Sequence, residues 1–200
     1  MGHDTVERRL LFVHIPKTAG SSIIVGTAGQ IMIHNVDHGP VIDETTGKIK
    51  ISSLNVAVRQ PNYRDFFSFT VIRNPYDRFL SSYSYLMKGG QHGLDDDYQA
   101  LLLQYADMDA VLDDLPRLQH KIVHFVPQSV FVCNDYHDIL VHCCIRFENL
   151  QQQLLTVHPG FASLPHLNAS THDSVVLTPL QKQKIAKVYA RDFRIFGYPV

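Results

Sequence analysis

Leu10–Ser22 reads LLFVHIPKTAGSS. LLFVHI is a short, predominantly apolar run stopped by Pro16, the pattern of a strand buried on both faces of a parallel sheet. PKTAGSS makes a tight loop, and IIVGTAGQIM after it predicts a helix beginning near Gly20 or Ser21, weakened by Gly26 and Gly29. A Lys, small residues and two hydroxyls between a buried strand and a helix form an anion cradle, because unpaired backbone N–H groups and the helix dipole both favour negative charge. The ligand class is a phosphate or a sulfate ester. Lys17 precedes Gly20 and no glycine opens the loop, so the order is not GxxxxGK[ST], which argues against an ordinary ATPase or GTPase. A chance strand-to-helix turn with a surface Lys would read the same over so short a stretch.

A second site of the same kind follows another buried strand. FFSFTVIR (66–73) is another buried strand, ended by Asn74-Pro75, and the helix NPYDRFLSSYSYLM follows, stopped by Gly89-Gly90. Pro75 suits a first helical turn, and Asn74 or Asp77 can serve the N-terminus. Arg73 stands at the strand tip and Ser81 lies about two turns along the helix, so both can converge on one phosphate, the Arg as a planar fork of donors. Arg78 either joins this site or pairs with Asp77 on a solvated face.

Around these sites the chain reads as strands alternating with helices. A short strand is expected at Ile31–Asn35, then a loop VDHGPVIDETTGK (36–48). Two helices split near Leu115-Pro116 are expected within 95–125, a strand region at Ile139–Phe147, a helix at Glu148–Val157, a long loop over 158–179, and a helix at Gln181–Ala190 before the aromatic close DFRIFGYPV. The expected fold is α/β and P-loop NTPase-like: one domain over 1–200, three layers, a mostly parallel central sheet flanked by helices, and a ligand site at the carboxyl ends of the strands.

Composition sets outer limits. With 45% hydrophobic residues, 200 residues can bury one sizeable core. Eighteen Lys plus Arg against 19 Asp plus Glu leave no global field to recruit nucleic acid or an anionic membrane, so any anion site is local. The odd count of three cysteines, Cys133, Cys143 and Cys144, gives no disulfide framework or zinc spacing and points to a reducing, cytoplasmic setting. No stretch reads as a signal peptide or membrane span. His120 and His124 are spaced i, i+4 but lack the Glu of HExxH and a third ligand, so surface histidines are expected and no metal. The run Asp95-Asp96-Asp97 reads as a solvated helix start, and Cys143-Cys144 as core.

FVHIPKTAGSS resembles the 5'-phosphosulfate loop, and VIRNPYDRFLSSYSY the 3'-phosphate motif, of the Golgi-type carbohydrate sulfotransferases (sulfotransferase family 2) and their small bacterial relatives. PQSVFV (127–132), RFENL (146–150), PHLNAST (165–171) and VYARDFRIFGY (188–198) resemble later blocks of that family in the same order. The resemblance implies 3'-phosphoadenylyl sulfate (PAPS) as sulfuryl donor and an acceptor hydroxyl, on a carbohydrate for preference. It implies that Lys17, with backbone N–H groups of Thr18, Ala19, Gly20, Ser21 and Ser22, holds the 5'-phosphosulfate, that Arg73 and Ser81 hold the 3'-phosphate, and that a loop near Asn168–His172 closes over the nucleotide. Sulfuryl transfer builds negative charge on the leaving phosphate, where a Lys stabilises the transition state more than the ground state. The acceptor hydroxyl must also lose a proton, and an imidazole suits that task. His38 is preferred as general base, since the family places one in a comparable segment. His34 comes next, His166 is a further candidate, and His14 is expected to pack. Two other readings stay open: a nucleotide kinase or NTPase with a degenerate loop, and a non-catalytic nucleotide- or glycan-binding module.

Overall fold

The computed structural model describes residues 9–26, 33–36, 40–42, 49–51, 65–90, 93–163 and 175–200. The two apolar runs pair with each other. β1 (Leu10–Val13) lies beside β2 (Ile33–Val36) on one side and β5 (Phe67–Ile72) on the other, and β6 (Cys143–Arg146) adds to β5. All three pairings are parallel, with Val13 opposite both Val36 and Thr70. Such strands need cover on both faces. It comes from α1 (Gly20–Gly26), α2 (Pro75–Met87), α3 (Gly93–Leu102), α4 (Met108–Asp113), α5 (Leu115–Leu118), α6 (Gln128–Val132), α7 (Leu150–Val157), α8 (Pro179–Val188) and α9 (Ala190–Phe196).

The pleat divides the core into two layers. Leu10 and Phe12 of β1, Phe69 and Val71 of β5 and Ile145 of β6 pack with Ile23 of α1 and Leu154 and Val157 of α7. Val13 and Ile72 point the other way, into a larger cluster with Phe79 and Leu86 of α2, Leu102 of α3, Leu112 of α4, Ile185 of α8 and Phe193 of α9. Helix, sheet and helix are the three layers expected of this α/β fold. Because β1 and β5 are adjacent and parallel, the loops that follow them leave the same edge of the sheet, and this brings Lys17 and Arg73 together.

Three expectations of element structure change, and the close of the chain gains an element that had not been assigned. The segment 36–48 is not wholly loop: β3 (Pro40–Ile42) pairs antiparallel with β4 (Ile49–Ile51), and three-residue strands between turn residues carry too little alternation to be read. The stretch 95–125 holds three helices and a 3-10 turn at Val123–Phe125 rather than two helices. The Asp107 carboxylate accepts the Ala110 N–H and starts a new helix where continuous apolar spacing suggested one. The strand region 139–147 shortens to Cys143–Arg146, with Ile139 bridging only to Cys133. The close of the chain is helical as α9, ended by Gly197 at φ 64°.

Candidate functional site

The loop after β1 carries backbone strain. Lys17 and Ala19 have φ of 67° and 69°, a left-handed conformation that costs a non-glycine residue about 1–2 kcal/mol. Thr18 between them has negative φ. Alternating handedness of this kind turns successive N–H groups toward one side and builds a concave anion nest.

Buried polar contacts hold that shape. The Thr18 hydroxyl donates to the Ile15 carbonyl at 2.8 Å, and Thr70 of β5 donates to the Val13 carbonyl at 2.7 Å. Arg78 of α2, only 2% exposed, donates from Nε to the Pro16 carbonyl at 3.0 Å and from Nη1 to the Val126 carbonyl at 2.9 Å. It therefore does not pair with Asp77 on a solvated surface; it clamps the base of the loop. Gly20 is required by close approach, since a Cβ there would lie 2.0 Å from the His14 ring. His14 packs as expected, stacked on Phe12 with ring centroids 5.9 Å apart.

Two cations meet above this frame. Arg73, buried at the end of β5, donates from Nη1 to the Lys17 carbonyl at 3.4 Å and lays its guanidinium over Phe147 at 4.3 Å. Gln128 at the start of α6 fixes its backbone, accepting from the Arg73 N–H at 2.9 Å and donating to its carbonyl at 2.8 Å. The Asp192 carboxylate of α9 receives the N–H groups of Gln128 and Ser129 and so secures α6 in turn. Lys17 Nζ rests over the Tyr85 ring at 3.6 Å. Burial, helped by the nearby Arg73 charge and opposed by Asp95, pulls the Lys17 ammonium down to about 8. Arg78, Ser81 and Tyr85 are spaced i, i+3, i+7 along one stripe of α2. Since Arg78 reaches Pro16 and Tyr85 underlies Lys17, the buried Ser81 between them faces the same loop.

A strained N–H nest, a Lys and an Arg at adjacent parallel strand ends suit a doubly anionic ligand. A family model described as the sulfotransferase family matches residues 5–199. The chain belongs to the sulfotransferase family. No significant match exists among curated proteins or solved structures. A sulfotransferase moves a sulfuryl group to an acceptor, so this protein is a transferase. Among the described residues no helix is long and apolar enough to cross a membrane.

Of the residues that sequence reasoning assigned to this sulfotransferase, Lys17, Thr18, Ala19, Gly20, Ser21, Ser22, Arg73 and Ser81 fall at or beside the loop. Ser21 is exposed while Thr18 and Ser22 are buried. His38, His166 and the segment 168–172 lie outside the described residues. His34 falls in β2, opposite Leu11. Two expectations fail. Asp95 is not a solvated helix start but is 2% exposed, although Asp96 and Asp97 are exposed. His124 is not a surface histidine: its ring is buried 5.3 Å from that of Tyr85, while His120 is exposed. Burial of both depends on tertiary neighbours, which a charge run and an i, i+4 spacing do not encode. Gln128 was the other omission, its only signal being the PQSVFV block. Among the described residues no group of three potential metal ligands is present.

Proposed function

We propose that this sulfotransferase transfers the sulfuryl group of PAPS to an acceptor hydroxyl on a carbohydrate, with the whole chain acting as one domain. The convergence of Lys17 and Arg73 at neighbouring strand ends carries this reading. Arg73 is tied to the loop by its 3.4 Å hydrogen bond to the Lys17 carbonyl, and two cations at neighbouring strand ends suit a ligand that carries a phosphosulfate and a separate phosphate. Lys17 and the N–H groups of residues 18–22 receive the phosphosulfate. Arg73 and Ser81 take the 3'-phosphate.

In the reaction the acceptor oxygen bonds to sulfur as the sulfur–oxygen bond to the 5'-phosphate breaks, and the electron pair stays on that phosphate. Lys17 stabilises the charge developing there, an interaction stronger in the transition state than in the ground state. The acceptor proton goes to a histidine, His38 in this proposal. Supporting that choice, β2 ends at Val36, opposite Val13, so the chain leaves β2 at the sheet edge that carries Lys17. All three cysteines are free thiols, which supports a reducing, cytoplasmic setting.

The experiment is thermal stabilisation by PAP, the desulfonated product, against ADP and against ATP with Mg²⁺, in wild type and Arg73→Ala. A ligand at a hundred times its Kd adds about 2.7 kcal/mol. Stabilisation by PAP without metal, lost in Arg73→Ala, is the expected result. Preference for ATP with Mg²⁺ would favour a kinase, and binding of PAP without any transfer a non-catalytic module.

A further inference from the structure

Behind Lys17 lies a buried carboxylate that sulfuryl transfer as outlined above leaves without a role. Asp95 sits in the first turn of α3, and its Oδ2 accepts the Tyr85 hydroxyl at 2.7 Å. His124 Nδ1 stands 3.9 Å from the other carboxylate oxygen. Gly90, at φ 60°, lets the chain close over this carboxylate, since a Cβ there would come within 2.2 Å of the Asp95 side chain. The opposite end of the chain of contacts is the Lys17 ammonium on the face of the Tyr85 ring. Lys17, Tyr85, Asp95 and His124 thus form one line running from the strained loop into the core.

We propose that Tyr85 and Asp95 are positioning residues for Lys17: the ring gives the ammonium a resting surface that leaves its N–H donors available to an incoming anion, and the buried carboxylate keeps the ammonium charged beside Arg73. This rests on the reading that Lys17 serves the leaving phosphate. A lysine beside an arginine in a poorly solvated loop is pressed to give up its proton. Asp95 opposes that pressure, raising the Lys17 pKa against burial and the Arg73 charge. Among the described residues Lys17 and Asp95 form no ion pair with each other, and the geometry gives a reason. A direct bridge would occupy the donors that the phosphate needs, whereas a ring face attracts the cation without taking a hydrogen bond. A phenol donating to a carboxylate also has a more electron-rich face. Among the described residues, the titratable groups around this line include Arg73 from the end of β5, Tyr85 from α2, Asp95 and Tyr98 with the exposed Asp96 and Asp97 from α3, and His124 from the 3-10 turn.

The test is the pH dependence of acylation of Lys17 in the full chain by a small anhydride, read by peptide mass spectrometry, in wild type, Asp95→Asn and Tyr85→Phe. Wild type should titrate near pH 8. Asp95→Asn should move the midpoint down, so that the neutral-amine fraction at pH 7, and acylation with it, rises about 2.5-fold for a first half unit. Tyr85→Phe keeps the ring and loses the hydroxyl, and should shift the midpoint less, in the same direction. A merely structural role would lower the melting temperature and leave the midpoint in place. An unchanged midpoint in folded Asp95→Asn overturns the proposal, and if that variant does not fold an unchanged midpoint in Tyr85→Phe does so. PAP stabilisation of wild type, measured alongside, separates the two ideas: its failure would sink the PAPS reading while the titration still decides the role of Asp95.

Discussion

Lys17 and Arg73 each lie against an aromatic ring at the end of a central strand, yet their supports differ. Arg73 follows a regular strand and precedes a conventional helix start, where Asn74 accepts the Tyr76 N–H and Pro75 occupies the first turn. Its backbone is held at both polar atoms by Gln128, and a guanidinium stays protonated at any working pH. Lys17 sits in a left-handed backbone conformation, clamped from beneath by Arg78, with its ammonium pulled down to about 8. A fixed, permanently charged group is suited to anchoring. A strained, titratable one is suited to acting where charge develops.

The sharpest way to break this contrast is to remove each cation. Lys17→Ala should lower kcat by about 10²–10³-fold, the range seen for loss of one transition-state donor, with a smaller change in PAP affinity. Arg73→Ala should do the reverse and weaken PAP binding by about ten- to a hundred-fold, as loss of a charged hydrogen-bonding partner does, measured by calorimetry. Removing the supports separately sharpens it further. Gln128→Ala leaves the buried Arg73 N–H and carbonyl without their side-chain partner, at about 1–3 kcal/mol for each group, and should lower the melting temperature together with PAP affinity.

The smallest effect is the pH response. A lysine serves the leaving phosphate only when protonated, and the proposed histidine base works only when neutral, so kcat/KM should follow a bell whose alkaline limb falls as pH rises through about 8. PAP binding through Arg73 should persist across the same range. A kcat/KM profile flat to about pH 10 on its alkaline side would remove Lys17 from that role.

Sequence reading reached the frame of this site because its determinants are local. LLFVHI and FFSFTVIR are apolar runs of strand length with proline stops, so β1, β5 and the start of α2 follow directly. Once parallel neighbours are inferred, Lys17 and Arg73 must meet. What escaped was whatever tertiary contact decides. Arg78 looks like any polar residue in a first helical turn until Pro16 and Val126 are seen to need its donors. Asp95 is the first of three identical acids, and contacts such as those with Tyr85, His124 and Gly90 distinguish it from its exposed neighbours. The β3–β4 pair was hidden for another reason: three residues are too few for a period of two to show.

The most direct test of the central claim is steady-state transfer from PAPS to a panel of oligosaccharides by wild type, Lys17→Ala and Arg73→Ala, with kcat and KM for PAPS resolved separately. Sulfated product from wild type, a fall confined mainly to kcat in Lys17→Ala and a rise mainly in KM in Arg73→Ala are predicted. Equal effects of both substitutions on KM alone would contradict the division of labour, and consumption of ATP in place of PAPS would contradict the donor.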